Sequence, residues 1–421
     1  MKDPRVAAFG RVKRPSTSVR CTRGNTASIC AACAAVALGW WVAPPQAFAV
    51  GYRLPNQDPE AIARGNAFVA TADNPSAIYY NPAGITQLRG HNVQAGLYLL
   101  NANIEAESTA GIETENETGV QPVPQLYYTY TPQDLPFSLG LGLYFPYGLA
   151  LEWPDDSPFR TLAIKGKLTY ACVNPVLAWR VHPTLSVAAG PTLNLGEVSF
   201  TQGIGLSPTD RLKFEGNAFG AGLNAGILWQ PHERWSFGAQ YRLATSLDFE
   251  GDSEAYPYFP STSSSAEMRF PQFAVIGVSY RPTPKWNLEF NLDWADWDYV
   301  NEIVFRGTSL GDLKFPVNMT SSFMYEFGVS RFFEKGWWVS GGYFYSENSI
   351  PDATFNPILP DAPLHLGSVG FGRHGHRWDW TVAYHFALGH RTVENNVVSP
   401  LADGTYDFFN QALTASLRFR F

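Results

Sequence analysis

Leu413, Ala415, Leu417, Phe419 and Phe421 alternate with Thr414, Ser416, Arg418 and Arg420. In extended backbone successive side chains point to opposite faces, so this segment presents one apolar face and one polar face. The pattern recurs. Phe137, Leu139, Leu141, Leu143 and Phe145 alternate with Ser138, Gly140, Gly142 and Tyr144, and Trp235, Phe237, Ala239, Tyr241 and Leu243 with Ser236, Gly238, Gln240 and Arg242. Leu288, Phe290, Leu292 and Trp294 stand against Asn287, Glu289, Asn291 and Asp293, and Trp380, Val382, Tyr384 and Phe386 against Asp379, Thr381, Ala383 and His385. Beyond the first 49 residues no apolar run reaches the ~20 residues a spanning helix needs. A soluble β-sandwich buries its apolar face and has no reason to line it with Trp and Tyr near strand ends. The chain carries 13 Trp, 20 Tyr and 29 Phe beside four Met. The expected fold class is therefore all-β, an antiparallel transmembrane β-barrel in which every second residue meets lipid.

Connections between these segments alternate in length. Brief turns are expected near Pro132 to Pro136, His182-Pro183, Pro231 to Arg234, Pro282 to Lys285, Glu334 to Gly336 and His374 to Arg377. Longer polar loops are expected at Glu105 to Gly119, Pro146 to Leu162, Thr201 to Leu212, Gly251 to Ser264, Trp297 to Asn318, Glu347 to Pro363 and Thr392 to Asp407. In bacterial barrels short turns face the periplasm, long loops face outward, and the strand number is even. The count here is about fourteen, which puts both termini on the periplasmic side.

Residues 1–49 read as a signal peptide that is removed. Lys2, Arg5, Arg11, Lys13, Arg14, Arg20 and Arg23 precede an apolar run from Ala27 to Val42, and Ala47-Phe48-Ala49 supplies the small residues of a cleavage site. The Arg and Ser content also suits an organelle transit peptide, a weaker reading. Taking seven basic residues and one acid from a formal charge of −7 leaves −13 on 372 residues. So acidic a chain argues against a nucleic-acid partner. Only Cys172 remains after cleavage, and no intrachain disulfide is then possible.

Residues 50–90 do not alternate. They hold small residues from Ala61 to Ala72, turn formers at Asn74-Pro75 and Asn81-Pro82, and apolar groups such as Phe68 and Ile78 that seek burial. The barrel of residues 91–421 offers that shelter in its lumen. Here the chain resembles the FadL/OmpP1/TodX family of outer-membrane long-chain fatty-acid and aromatic-hydrocarbon transporters. Gly51-Tyr52-Arg53-Leu54 and Ala63-Arg64-Gly65-Asn66-Ala67 are similar to the family's mature start, and Asn74 to Gly84 resembles its signature around Asn-Pro-Ala. Pro146-Tyr147-Gly148-Leu149 resembles the element ending its third strand. Gly222 to Leu228, Gly238 to Arg242 and Phe270-Pro271-Gln272 with Trp294 and Trp297 follow in family order.

The resemblance implies a 14-stranded barrel with an N-terminal hatch (plug) in the lumen, Asn81, Pro82 and Ala83 forming the hatch motif. It implies a passive outer-membrane transporter of a Gram-negative bacterium in which hatch rearrangement is followed by lateral release through a gap in the wall. Pro146, Tyr147, Gly148 and Leu149 would form the third-strand kink, since Pro146 has no N–H for the ladder and Gly148 no side chain. Each buried methylene is worth ~0.8 kcal/mol out of water, so exit into hydrocarbon is downhill. Long-chain fatty acid is the first expected cargo, neutral aromatic hydrocarbon the alternative. A carboxylate needs a basic partner, and Arg242 is the candidate among lumenal cations that also include Arg418, Arg420, Lys165 and Lys167. Where fatty-acid members hold basic contacts, this chain offers Glu197 and Thr320. The expected partners are a hydrophobic small molecule, outer-membrane lipids and the barrel-assembly machinery, for which Phe419 and Phe421 resemble the terminal signal. The protein is expected to be a monomer without cofactor.

Other constellations are weaker. Glu105, Glu107, Glu113, Glu115 and Glu117 fit a solvated face better than a divalent-cation site. His374-Gly375-His376 supplies two ligands where zinc wants three or four. A lipase-type enzyme would use His385 as base, but no nucleophile elbow or acid pair accompanies it, and a satisfied lumenal histidine is the better account. A surface-structural protein or adhesin is the remaining alternative.

Overall fold

The computed structural model describes residues 51–421. The expected signal peptide and its cleavage point lie outside the described residues. Nineteen stretches of strand join in one sheet, several of them consecutive pieces of the same wall strand, and the closed antiparallel barrel has fourteen strands. They are β1 (Gly90–Ser108), β2 (Gln121–Thr131), β3 (Phe137–Glu152), β4 (Lys165–His182), β5 (Leu185–Gln202), β6 (Arg211–His232) and β7 (Trp235–Arg242 with Thr245–Tyr256). Then come β8 (Phe259–Phe270 with Phe273–Thr283), β9 (Trp286–Ala295 with Glu302–Thr308), β10 (Gly311–Pro316 with Ser322–Phe332), β11 (Trp337–Ser346), β12 (Leu364–His374), β13 (Trp378–Val393) and β14 (Gly404–Arg420). The ring closes where β1 pairs with β14, from Asn92↔Arg420 to Ser108↔Gly404.

Alternation places the two residue sets as the sequence implies. Leu413 and Leu417 are about half exposed on the outer face, whereas Asn410, Ala412 and Thr414 are buried inside. Trp179, Trp229, Trp235, Trp286, Trp337 and Trp378 stand outward beside the short turns, a ring whose amphipathic side chains suit a membrane interface. Phe421 joins this end: its carbonyl accepts from His91 N–H at 3.2 Å and its ring stacks on the His91 ring at 5.1 Å.

Three expected loops differ. The stretches Gly251 to Ser264 and Trp297 to Asn318 are largely strand, for β7 runs on to Tyr256 and β8 begins at Phe259, while β9 and β10 resume as Glu302–Thr308 and Gly311–Pro316. Likewise β3 continues to Glu152, so Pro146 to Leu149 lies within the third strand and does not end it. The outward residues of the extended hairpin, such as Asp252 and Glu254, are polar because they stand beyond the apolar belt, and that removes the signal of a strand.

Residues 51–89 form no barrel strand. Helix α1 (Pro59–Ile62), helix α2 (Ala77–Tyr80) and a 3₁₀ turn (Pro82–Gln87) punctuate the segment, and apart from Asp73 every residue from 51 to 86 is buried. Asp58 starts α1 by accepting from the N–H groups of Glu60 and Ala61 at 2.9 and 3.1 Å, with Pro59 at the first helical position. The segment presses on wall glycines. A Cβ on Gly226 would stand 2.3 Å from Asn81 Oδ1, and one on Gly342 would stand 1.9 Å from the Gly65 nitrogen.

Candidate functional site

Two arginines of the N-terminal segment anchor it to the polar inner face of β9. Arg53 donates two parallel bonds to Asp293, 2.8 and 2.7 Å, with both side chains almost wholly buried. Arg64 pairs with Glu289 at 3.2 Å and with Glu60 at 2.5 Å. Asn291, between these acids, donates to the Asn66 carbonyl at 3.1 Å and to Glu326 at 2.8 Å. Charge-assisted, bidentate bonds of this kind fix orientation as well as position. The face Asn287-Glu289-Asn291-Asp293, legible in the sequence as merely polar, is thus a docking strip.

Asn81 ties the segment to β6. Its Nδ2 donates to Val69 O at 2.8 Å and to Ile227 O at 2.9 Å, while its Oδ1 accepts from Ala83 N–H at 3.2 Å. Pro82, which needs no hydrogen bond for its nitrogen, starts the 3₁₀ turn, and Ala83 is fully buried. Asn81, Pro82 and Ala83 therefore form one clamp between segment and wall.

The wall is incomplete between β2 and β3. Their ladder runs only from Tyr130↔Leu139 to Leu126↔Leu143. On its other side β2 stays paired with β1 through Leu97↔Pro124 and Leu99↔Pro122 to Gln121. Pro122 and Pro124 are two residues apart, so their missing N–H groups fall on the same edge. Above Leu143 the partner of β3 is the N-terminal segment: Leu54 N–H donates to Pro146 O at 2.8 Å, Gly148 N–H to Tyr52 O at 2.9 Å, and Arg53 bridges antiparallel to Tyr147. The Gln57 amide completes the substitution, donating to Phe145 O at 2.7 Å and accepting from Phe145 N–H at 3.1 Å. A bulge between Tyr144 and Tyr147 bends β3 at Pro146. Higher up, Glu117 N–H reaches Glu152 O at 2.7 Å and closes the seam.

Behind this seam lies an aromatic box. Tyr52 meets the rings of Trp297 at 5.0 Å, Phe270 at 5.5 Å and Tyr147 at 6.2 Å, and Tyr170 packs on Phe270 at 4.6 Å and Tyr147 at 5.1 Å. Trp297 enters because β9 leaves the ladder after Ala295, makes a 3₁₀ turn over Trp297–Tyr299 and resumes at Glu302. Beside the docking strip, a separate cavity lined by Arg53, Asn66, Tyr79, Asn291, Asp293 and Glu326 measures only about 10 Å³. That holds one water.

Arg242 marks the polar end. It is 4 % exposed, donates to Tyr144 Oη at 2.6 Å and to Cys172 Sγ at 3.7 Å, and lies over the rings of Tyr144, Tyr79 and Phe273 at 5.3, 5.6 and 5.8 Å. Among the described residues no carboxylate pairs with it, and its Nε has no partner. A buried guanidinium lacking an anion is costly, which makes the position receptive to one.

The other candidates fall elsewhere. Arg418 bonds Asn92 and faces Asp379 at 3.6 Å, and Arg420 pairs with Asp379 at 2.7 Å, so both serve the base of the barrel. Lys165 and Lys167 are not lumenal: they share the outward face of β4 with Leu177 and Trp179, and Lys165 pairs with Glu152 at 2.7 Å. Glu197 also points outward, in line with Leu193 and Leu195, and Thr320 is exposed. His385 bonds Tyr98 Oη at 2.8 Å inside the wall. His374 reaches Glu60 at 3.3 Å, a structural contact the sequence did not suggest. The glutamates face one another on the exposed hairpin, Glu105 opposite Glu115 and Glu107 opposite Glu113.

Comparison with known proteins agrees with this architecture. A family model described as outer membrane protein transport protein (OMPP1/FadL/TodX) matches residues 41–418. A long-chain fatty acid transport protein of Escherichia coli O6:H1 is 21 % identical over 364 residues, covering 75 % of this chain and 81 % of that protein. A 47 kDa outer membrane protein of Pasteurella multocida is 24 % identical over 272 residues, 57 % of this chain and 63 % of the other. Among solved structures, a Pseudomonas aeruginosa FadL homologue superposes with a TM-score of 0.75 at 16 % identity, covering 88 % of this chain and all of that one. The P. putida toluene transporter TodX gives 0.70 at 15 %, covering 90 % and 99 %. A barrel of fourteen strands, an inner N-terminal segment and a match running almost from end to end converge: this chain belongs to the OMPP1/FadL/TodX family of outer-membrane transport proteins.

Proposed function

We propose that the protein moves hydrophobic compounds passively across the outer membrane, long-chain fatty acids first among them, with residues 51–89 acting as a hatch and the β2–β3 seam as the lateral exit. The observation that carries the reading is the substitution of Tyr52, Arg53 and Leu54 for the missing ladder partner of β3. Withdrawing that segment empties the aromatic box and bares the seam in one movement. An apolar molecule in the box then meets hydrocarbon on one side and water on the other, and the former is favoured by ~0.8 kcal/mol per methylene. Asn81, Pro82 and Ala83 keep the rest of the hatch on β6 while its first residues move.

Arg242 supports the fatty acid over a neutral hydrocarbon, because an anionic head group would supply the charge that Tyr144 and Cys172 do not. The decisive measurement is uptake of labelled oleate and toluene by cells with and without the protein, repeated with Arg242→Gln. Loss of oleate uptake with toluene unchanged supports the carboxylate contact. Equal uptake of both by variant and parent refutes the carboxylate contact, uptake of toluene but not oleate assigns neutral hydrocarbon as the cargo, and no difference between cells with and without the protein refutes transport.

A further inference from the structure

The wall has a second discontinuity. β6 and β7 pair from His232↔Trp235 to Asn224↔Arg242, and again from Asn217↔Glu250 to Arg211↔Tyr256. Between them, residues 218–223 of β6 face residues 243–249 of β7 with no register, and a backbone bond from Leu243 N–H to Leu223 O spans the edge of the interruption. Both strands are held from their far sides, β6 by an unbroken ladder to β5 and β7 by its ladder to β8. In a membrane an incomplete ladder is costly, so such a stretch is the weakest line of a closed sheet.

What fills the line is side chain. Gly220 and Gly222 leave room into which Leu247 and Thr245 lean: a Cβ on Gly220 would stand 2.4 Å from Leu247 Cδ2, and one on Gly222 would stand 2.8 Å from Thr245 Cγ2. Outside, Phe219, Leu223 and Leu243 are 65 %, 41 % and 41 % exposed, an apolar surface for lipid. Inside, Thr245 Oγ1 bonds Tyr170 Oη at 3.0 Å, so the seam opens on the same aromatic box. The register links the two seams directly, because Tyr147, Tyr170, Gly196 and Ala218 are successive cross-strand partners.

We propose that the β6–β7 seam is a second lateral portal, giving cargo from the aromatic box an exit into the bilayer separate from the β2–β3 seam, with Leu247 and Thr245 as its inner shutters. The inference rests on the lateral-release reading above. Parting the strands here breaks little backbone pairing, and rotation of two small side chains clears the glycine-lined gap. An alkyl chain or an aromatic ring slides through; a charged head group gains nothing from it.

The test locks each seam. Ala221→Cys with Ser246→Cys, both on the outer face and opposite one another when the Asn217↔Glu250 register is carried on into the interruption, closes β6–β7, and Pro124→Cys with Phe145→Cys, two residues beyond Leu126↔Leu143, closes β2–β3, the disulfide of each pair being confirmed by mass spectrometry before uptake is read. Oleate uptake is measured on the same protein oxidised and reduced, so recovery on reduction shows that the barrel is assembled. With two exits of similar barrier, each lock lowers the rate about two-fold and both together abolish it. If the β6–β7 lock changes nothing while the β2–β3 lock stops uptake, the second portal is refuted and the first reading stands. If uptake survives both locks, lateral release itself is refuted.

Discussion

Replacing Arg53 with methionine removes the guanidinium but keeps much of the side-chain volume, and leaves the Asp293 carboxylate buried with Glu326 close by and no cation. Both partners of the pair are at most 3 % exposed, and the two bonds are short and parallel. Breaking one side of such a pair costs about 3–5 kcal/mol, roughly a hundred- to several-thousand-fold in the population of released segment. Removing both charges, as Arg53→Met with Asp293→Leu, is often neutral or stabilising because neither ion is then desolvated. Trypsin reports the difference. Arg64 is fully buried, and cutting after it requires the segment to leave the lumen, so at low protease the rate follows the open population. Both single variants should be cut at Arg64 faster by that factor, and the double variant at nearly the parental rate. A double variant cut as fast as the singles would refute the argument, since the segment would then be held by the shape of Arg53 and not by its charge.

Asn81→Ala forfeits two bonds from Nδ2 and one to Oδ1, and the same tryptic assay should show destabilisation of about 1–3 kcal/mol. Gly226→Ala drives a methyl group to 2.3 Å from Asn81 Oδ1; it should loosen the segment by about 1–3 kcal/mol, and adding Asn81→Ala should cost less than the two changes summed. Burial, then the neighbouring Glu60, pushes the Asp58 carboxyl up to about 7 against the opposing bonds from Asn74 and the N–H groups of Ala61 and Glu60. The docked state therefore binds the proton more tightly than the released one. Stability of docking is full below pH ~4 and declines as pH rises towards 7, so amide exchange of residues 55–64, corrected for intrinsic rate, should accelerate over that window and Asp58→Asn should flatten it.

The barrel was legible because lipid on one side and a polar interior on the other write themselves into a two-residue period. The same rule explains what was missed. Asp252, Glu254, Lys165 and Lys167 stand on outward faces beyond the apolar belt, where water replaces lipid, so their strands read as loop or their side chains as lumenal. The inner face of β9 was visible as polar, but not its task, since a docking acid and a solvated acid look alike in sequence. The β2–β3 seam did leave a trace in Pro122 and Pro124, whose meaning depends on knowing which edge they occupy. Gly226 and Gly342 left none: a glycine under a pressed backbone and a glycine in a plain strand are the same letter.

Tyr52, Arg53 and Leu54 make the wall of this barrel partly borrowed. A barrel escapes edge-to-edge association by having no edge, yet here the closure of β3 depends on three residues that, on the proposed route, also leave for cargo to pass. On that route each opening would expose a short edge strand within the bilayer, and its lifetime would be bounded by competition between the chain's own donor and any other extended peptide at hand. Protein trimmed of its first few residues after position 50 would hold that edge open permanently. Such trimmed barrels would be expected to pair through β3, which would give residues 52–54 a second task, the covering of an edge.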